Sequence, residues 1–310
     1  MQFGIKYLEM PNLKNAKFAI LLVIIAGIFW SFGPLVVRNI EDAATVPWQY
    51  LLTRGIVIFL LLNIYLFIEE GLDFYKNYLK MGAPGVIGGI GLGSAMMTFI
   101  WSITNTTAAI TLLCLAAMPF ITALLGFLFL REKISRSVWT AIIIATIGII
   151  IMAFDSASLG TFKGLLFGLA SALGFSIFSV SLRWEKETPK FTTVAFAGLF
   201  CFLFSTAVIF QFKLDFLSSG KNESLFALHG TIVCLGLILY SIGSKVIPAA
   251  ELTLLSLTEI IGGIFWVWLP ILGINEIPST NTIIGGFLIF IAIIFYSLLI
   301  KNNRRFIGLN

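Results

Sequence analysis

Residues 18–37 read FAILLVIIAGIFWSFGPLVV, twenty positions from Phe18 to Val37 without one charged side chain. An α-helix rises 1.5 Å per residue, so about twenty apolar residues cross a hydrocarbon core of about 30 Å. The stretch is too long for the apolar region of a signal peptide and ends without a small-residue cleavage site, so it reads as a retained membrane helix. Nine further stretches repeat the pattern: Val46 to Ile68, Gly82 to Ile103, Ala108 to Leu130, Val138 to Phe154, Gly164 to Leu182, Phe191 to Phe212, Leu225 to Ser244, Ala249 to Ile274 and Thr282 to Ile300. The connections between them are short and polar. The expected fold class is therefore an all-α integral membrane protein with ten transmembrane helices.

Composition agrees with that count. Of 310 residues 59% are hydrophobic and 11% charged, too few charges to wet the surface of a soluble globule of this size. Soluble enzymes, nucleic-acid-binding proteins and disordered scaffolds are excluded, and the net charge of +5 belongs to the positive-inside rule. Across ten spans, Arg38, Lys163, Lys213 and Lys221 fall on one side, Arg54 lies within a span, and the other fifteen of the 20 basic residues share the side of both termini. That asymmetry predicts an inner-membrane, multi-pass chain with both termini cytoplasmic. Cys114, Cys201 and Cys234 lie in apolar runs and read as packing residues.

A shift of about 142 to 145 positions aligns the two halves. Residues 109–115, AITLLCL, face residues 251–257, ELTLLSL; Arg131-Glu132-Lys133-Ile134-Ser135 faces Asn275-Glu276-Ile277-Pro278-Ser279; and Trp30-Ser31 with Arg38 faces Phe175-Ser176 with Arg183. Each copy holds five helices, an odd number, so the second enters the membrane from the opposite side. The sequence thus predicts two inverted repeats, residues 18–154 and 164–300, able to open a central site alternately to either side.

The segment Asn105-Thr106-Thr107-Ala108-Ala109, with Leu112-Leu113, Met118-Pro119-Phe120 and Leu130-Arg131-Glu132-Lys133, resembles the fourth-helix signature of EamA-type members of the drug/metabolite transporter superfamily. Pro248-Ala249-Ala250-Glu251 through Leu257-Thr258-Glu259 to Trp266-Val267-Trp268 and Glu276 is similar to its ninth-helix version. Ile260 stands where the family often has proline, and extra residues surround Pro270. The resemblance implies a ten-helix carrier of small metabolites, its cavity lined by the first, third, fourth, sixth, eighth and ninth helices. It leaves the substrate open among amino acids, purines, sugars, drugs and other metabolites.

Glu259 is the most informative residue. A charge at mid-bilayer costs about 2.5–3.5 kcal/mol on insertion scales and persists beside a partner or an aqueous cavity. It reads either as a ligand for the substrate or a proton carrier, or as a protonated carboxyl bonded to a neighbouring helix. Arg54, at similar depth, reads either as a substrate contact or as a clamp on backbone carbonyls, and a pair between Arg54 and Glu259 stays open. Trp30 and Trp101, beside Ser31 and Ser102, suggest an aromatic and polar patch able to hold a cation; Tyr240 and Trp266 join the candidate substrate-binding set. Glu251 sits in the first turn of its helix, where the dipole favours an acid. Trp48, Trp139 and Trp184 read as interfacial anchors.

Gly85, Gly89 and Gly93, and Gly164, Gly168 and Ala172, repeat every four residues and predict close helix contacts. Pro34, Pro119 and Pro270 lie within spans and should bend them. Gly88-Gly89-Ile90-Gly91 lacks the Lys-Ser/Thr ending of a phosphate loop, and no ATP-binding motif is present, so energy would come from gradients. A membrane enzyme acting on lipids or isoprenoids is the alternative. It would need clustered acids, histidines or a metal, and the chain has one histidine, His229, near a predicted helix end. A channel would not need the inverted copies. The expectation is thus a secondary transporter, with no catalytic residues, metal or cofactor, moving a small polar or amphipathic metabolite, an amino acid or related compound. A coupling proton or other ion, and a monomeric or homodimeric state, are left open.

Overall fold

The computed structural model describes residues 16–131, 136–154, 159–184 and 188–306. Lys6, Lys14, Glu132, Lys133, Ser135 and Lys186, used above for topology and repeat matching, lie outside them. All regular elements among the described residues are helical. They are α1 (Ala16–Ser31), α2 (Gly33–Arg38), α3 (Pro47–Glu70), α4 (Lys76–Leu79), α5 (Gly82–Asn105), α6 (Ala108–Leu115), α7 (Met118–Leu130), α8 (Arg136–Phe154), α9 (Leu159–Trp184), α10 (Lys190–Phe212), α11 (Gly220–Gly243), α12 (Ala249–Ser256), α13 (Thr258–Trp268) and α14 (Thr280–Phe306).

Eight spans are long and apolar enough to cross a membrane: α1 with α2, α3 with α4, α5, α6 with α7, α9, α10, α11, and α12 with α13. Helices α8 and α14 carry shorter apolar stretches, Trp139–Ile151 and Thr280–Ala292, and pack against each other. Large apolar side chains such as Ile64, Phe129, Ile143, Phe210 and Phe287 are exposed around the bundle. A belt of this kind would aggregate in water and is stable against lipid chains.

Apart from the 3-10 turn at Gly71–Tyr75 that joins α3 to the short α4, three spans are broken, each for a local reason. Pro34 has no N–H to give to the ladder, and the chain passes from α1 to α2 through a tight turn in which the Phe32 N–H bonds the Phe29 carbonyl at 3.3 Å. Pro119, in the first turn of α7, separates it from α6, and Ala116 and Ala117 bond back to Leu113 and Cys114, each at 3.1 Å. The third break, at Leu257, has no proline. There the hydroxyls of Thr253, Ser256 and Thr258 bond carbonyls of the preceding turn, at 3.0, 2.9 and 3.2 Å, and compete with the helix ladder. Pro270 does not bend its helix as expected: α13 ends at Trp268 and Pro270–Leu272 form a 3-10 turn, so the span stops short of Ile274. His229 is also corrected. Ser219 caps α11 by accepting from the Asn222 N–H, adding a polar first turn before Leu225, and His229 becomes an interior residue.

Small residues set the crossings. A Cβ on Gly55 of α3 would lie 2.8 Å from the Gly198 carbonyl oxygen of α10, and one on Gly198 would lie 2.8 Å from that of Gly55. Gly91 of α5 and Gly174 of α9 meet in the same reciprocal way, at 2.9 and 2.6 Å. The stripe Gly85, Gly89, Gly93 faces Thr193, Phe196 and Phe200 of α10, and Gly168 faces Cys114. These contacts hold the helices around a central cavity.

Candidate functional site

The cavity takes its walls from α1 (Trp30), α3 (Arg54), α5 (Met96, Phe99), α6 and α7 (Leu115, Met118), α9 (Ser171, Phe175), α11 (His229) and α13 (Glu259). Its volume is about 60 Å³, room for a few waters and well below the 300–1,000 Å³ of typical ligand sites. A metabolite enters only if the walls part.

Arg54 is carried into the bundle on the second turn of α3, at a point where Gly230 of α11 lies against its backbone; a Cβ on Gly230 would sit 3.3 Å from the Arg54 Cα. The residue is 5% exposed, yet its Nε and Nη1 have no hydrogen-bond partner. Burying cationic donors without acceptors costs several kcal/mol, about the scale of a buried charge left unpaired. Glu259 lines the same cavity and attracts Arg54 electrostatically, with no direct ion pair joining them. Because α13 begins at Thr258, Glu259 sits in its first turn, where unpaired backbone N–H groups favour a negative charge. The Ser/Thr-made break thus makes a deep acid affordable.

Aromatic rings complete one wall. Trp30 meets Phe175 edge-on at 5.6 Å between centroids and bonds the Val233 carbonyl through Nε1 at 3.3 Å. Tyr240 stands behind them, 5.6 Å from Trp30 and 5.2 Å from Phe175, with its hydroxyl on Ser179 at 2.7 Å. It supports the wall without lining the cavity. His229 is buried against the Tyr50 hydroxyl, which hydrogen bonds its Nδ1.

The structure divides the candidates read from sequence. Glu259, Arg54 and Trp30 come together at the cavity. Trp101 does not join Trp30: it packs 5.4 Å from Trp48 and 6.0 Å from Phe167, while Ser102 bonds Thr111 and the Gly164 carbonyl. Trp48 is correspondingly a packing partner of Trp101 and Phe204. Ser31 accepts from Trp266 Nε1 at 3.1 Å, and Trp266 stacks on Phe32 at 5.0 Å, so this pair ties α1 to α13 and is absent from the cavity wall. The residues missed were His229, Phe99, Met96, Met118 and Phe175. Phe175 had a signal, because the repeat aligns it with Trp30.

At one end of the bundle four segments are tied together. Arg38 at the end of α2 pairs with Glu276 at 3.0 Å and donates to the carbonyls of Ile103, at 2.7 Å, and Thr106, at 2.9 Å. Glu276 in turn accepts from the Ala108 N–H at 2.6 Å.

Residues 17–154 match the EamA-like transporter family. The pseudopaline exporter CntI of Pseudomonas aeruginosa is 25% identical over 286 residues, covering 90% of this chain and 95% of the exporter. An uncharacterized transporter of Helicobacter pylori is 25% identical over 80% of this chain and 85% of its own length, and the uncharacterized transporter YojE of Bacillus subtilis is 24% identical over 78% and 81%. A protein known from its crystal structure shares the fold, with a TM-score of 0.66 over 91% of this chain and 97% of that one at 18% identity. All three sequence relatives are transporters by name, which sets the membrane-enzyme alternative aside. Over residues 17–154 the chain is thus similar to the EamA-like transporter family, and over most of its length it is similar to membrane transporters.

Proposed function

We propose that the chain is an inner-membrane secondary transporter that moves a small polar or amphipathic metabolite, an amino acid or related compound, by alternating access. The observation that carries this reading is that Arg54 and Glu259 line one cavity together with the Trp30 and Phe175 rings. The guanidinium offers buried donors to a carboxylate, and Glu259 offers an acceptor to an ammonium group, while the rings cover an apolar side chain. Glu259, as the acid of the pair, is also the candidate carrier of a coupling proton.

Two five-helix repeats of opposite sense, residues 18–154 and 164–300, are the proposed moving parts. Several contacts support them by recurring at the same offset. Arg38 donates to the Ile103 carbonyl at 2.7 Å and Arg183 to the Ile247 carbonyl at 3.1 Å; donor and acceptor are each shifted by about 144 positions. Gly55 and Gly198, offset by about the same number, touch each other, as equivalent residues do near a two-fold axis. Packing of α5 on α9 is matched by α11 on α1, and α5 on α10 by α11 on α3. The Arg38 and Glu276 tie would close the outer side, if the basic residues face the cytoplasm. Closing and opening would then use the breaks at Phe32, Ala116–Ala117 and Leu257, where the ladder is already interrupted.

The test is a thermal-shift screen of the purified protein against a metabolite library, with uptake of the hits into proteoliposomes. Stabilisation and saturable uptake of amino acids or their relatives support the proposal; uptake confined to unrelated compounds, or none, overturns it.

A further inference from the structure

A second cleft, of about 520 Å³, opens among the ends of α3, α9 and α11 and the start of α10. It shares no residue with the central cavity and is large enough for a ligand as it stands. Its walls bring together Arg183, Lys190 and Lys245. Among the described residues each cation is held by neutral groups. Arg183 Nη1 donates to the Ile247 carbonyl, which fixes the guanidinium, while its buried Nε has no partner. Lys190 Nζ donates to the Leu182 carbonyl at 2.8 Å, leaving further donors, and Lys245 lies 5.9 Å over the Phe191 ring. Among the described residues none of the three forms an ion pair with a carboxylate. Glu185 and Glu187, next to Arg183 and Thr188 in sequence, lie outside those residues. The acid in the wall is Glu70, itself bonded by Asn77 Nδ2 at 2.7 Å.

The hydroxyls of Thr188 and Thr192 complete the set. They are 4% and 0% exposed, line the same cleft and have no hydrogen-bond partner. Two unpartnered hydroxyls, an unused guanidinium N–H and two ammonium groups belong to residues lining one space, a donor set that suits an oxyanion with several acceptor oxygens. Among the described residues three cations stand against one acid, an excess that a phosphate group, carrying one negative charge as a head-group diester and about −1.5 to −2 as a free phosphate or monoester, would offset. Without an anion, three like charges would repel one another in a partly desolvated cleft.

We infer that this cleft binds a phosphate group, held by Arg183, Lys190 and Lys245 and by the Thr188 and Thr192 hydroxyls. The phosphate comes either from an anionic phospholipid head group or from a soluble phosphate, and the site lies at helix ends, the level at which head groups sit. It stands apart from the transport reading, since none of its residues touches the central cavity.

The test uses the full chain purified in detergent, with two probes. Radiolabelled inorganic phosphate is titrated in equilibrium binding, and phosphatidylglycerol is offered against phosphatidylcholine with retained lipid read by native mass spectrometry. Saturable phosphate binding identifies a soluble source; preferential retention of phosphatidylglycerol without phosphate binding identifies the head group. In either arm the double variant Arg183→Gln with Lys245→Gln should weaken binding by about tenfold or more, as expected for losing charge-assisted bonds. Thr192→Val, of nearly equal volume, should weaken it by a smaller factor and decides the matter if the double variant does not fold. No binding of either probe, or binding unchanged in the folded variants, overturns the proposal.

Discussion

Arg38 and Glu276, far apart in sequence, meet at 3.0 Å and gather the end of α2, the end of α5, the start of α6 and the segment after α13 into one knot. Their side chains are 23% and 17% exposed, between a solvated surface pair and a buried one. Such a pair contributes when both partners are present and penalises the loss of either. It therefore fits the closure proposed above for alternating access.

Glu276→Gln keeps an acceptor for the Ala108 N–H but removes the charge that holds Arg38. The closed state should lose about 1–2 kcal/mol, a shift of about tenfold in the open-to-closed ratio. A single cysteine at Ser171, in a protein freed of Cys114, Cys201 and Cys234, should then react faster with a water-soluble thiol reagent from the Arg38 side. Unchanged labelling would show that the pair does not govern access.

Gly55→Val places a branched side chain where a Cβ alone would lie 2.8 Å from the Gly198 carbonyl and 2.7 Å from the Phe202 nitrogen. Backbone cannot yield as a flexible side chain can, so the variant should lose about 1–3 kcal/mol or more. Gly220→Ala is the control, because no atom lies within 4 Å of its Cβ position and its φ is not positive. Melting temperatures of the two purified variants check both statements.

Orientation is tested by labelling from outside intact cells. Ala44→Cys and Asp215→Cys, in exposed loops on the side with few basic residues, should react with an impermeant thiol reagent. Leu72→Cys, 76% exposed beside Lys76, should react only after lysis. The reverse pattern would invert the proposed topology.

Much of the fold was legible because lipid demands long apolar runs; Phe18 to Val37 alone announces a span. Pro34 and Pro119 announced two of the breaks. The third was hidden, since Thr253, Ser256 and Thr258 break a helix only through hydroxyl bonds that sequence does not display. Pro270 misled because the same residue can bend a helix or end it. At the site, Glu259 and Arg54 stood out as charges within apolar runs. Trp101 was a candidate as well, yet it packs against Trp48 and Phe167 and away from Trp30, on a helix whose Gly88 and Gly91 lie against α9. His229 was passed over because apolar periodicity starts α11 too late.

The most direct measurement is uptake of radiolabelled amino acids into proteoliposomes by the native protein, Glu259→Gln and Glu251→Gln, across a range of pH. Gln keeps the size and hydrogen bonding of Glu but cannot ionise. Glu259→Gln should fold, melt near the native temperature and lose most transport together with any dependence on pH. Glu251→Gln, in the first turn of α12, should lose about 0.3–1 kcal/mol of stability and keep its transport. Native-like uptake by Glu259→Gln at every pH would contradict the assignment of the Arg54 and Glu259 cavity as the transport site.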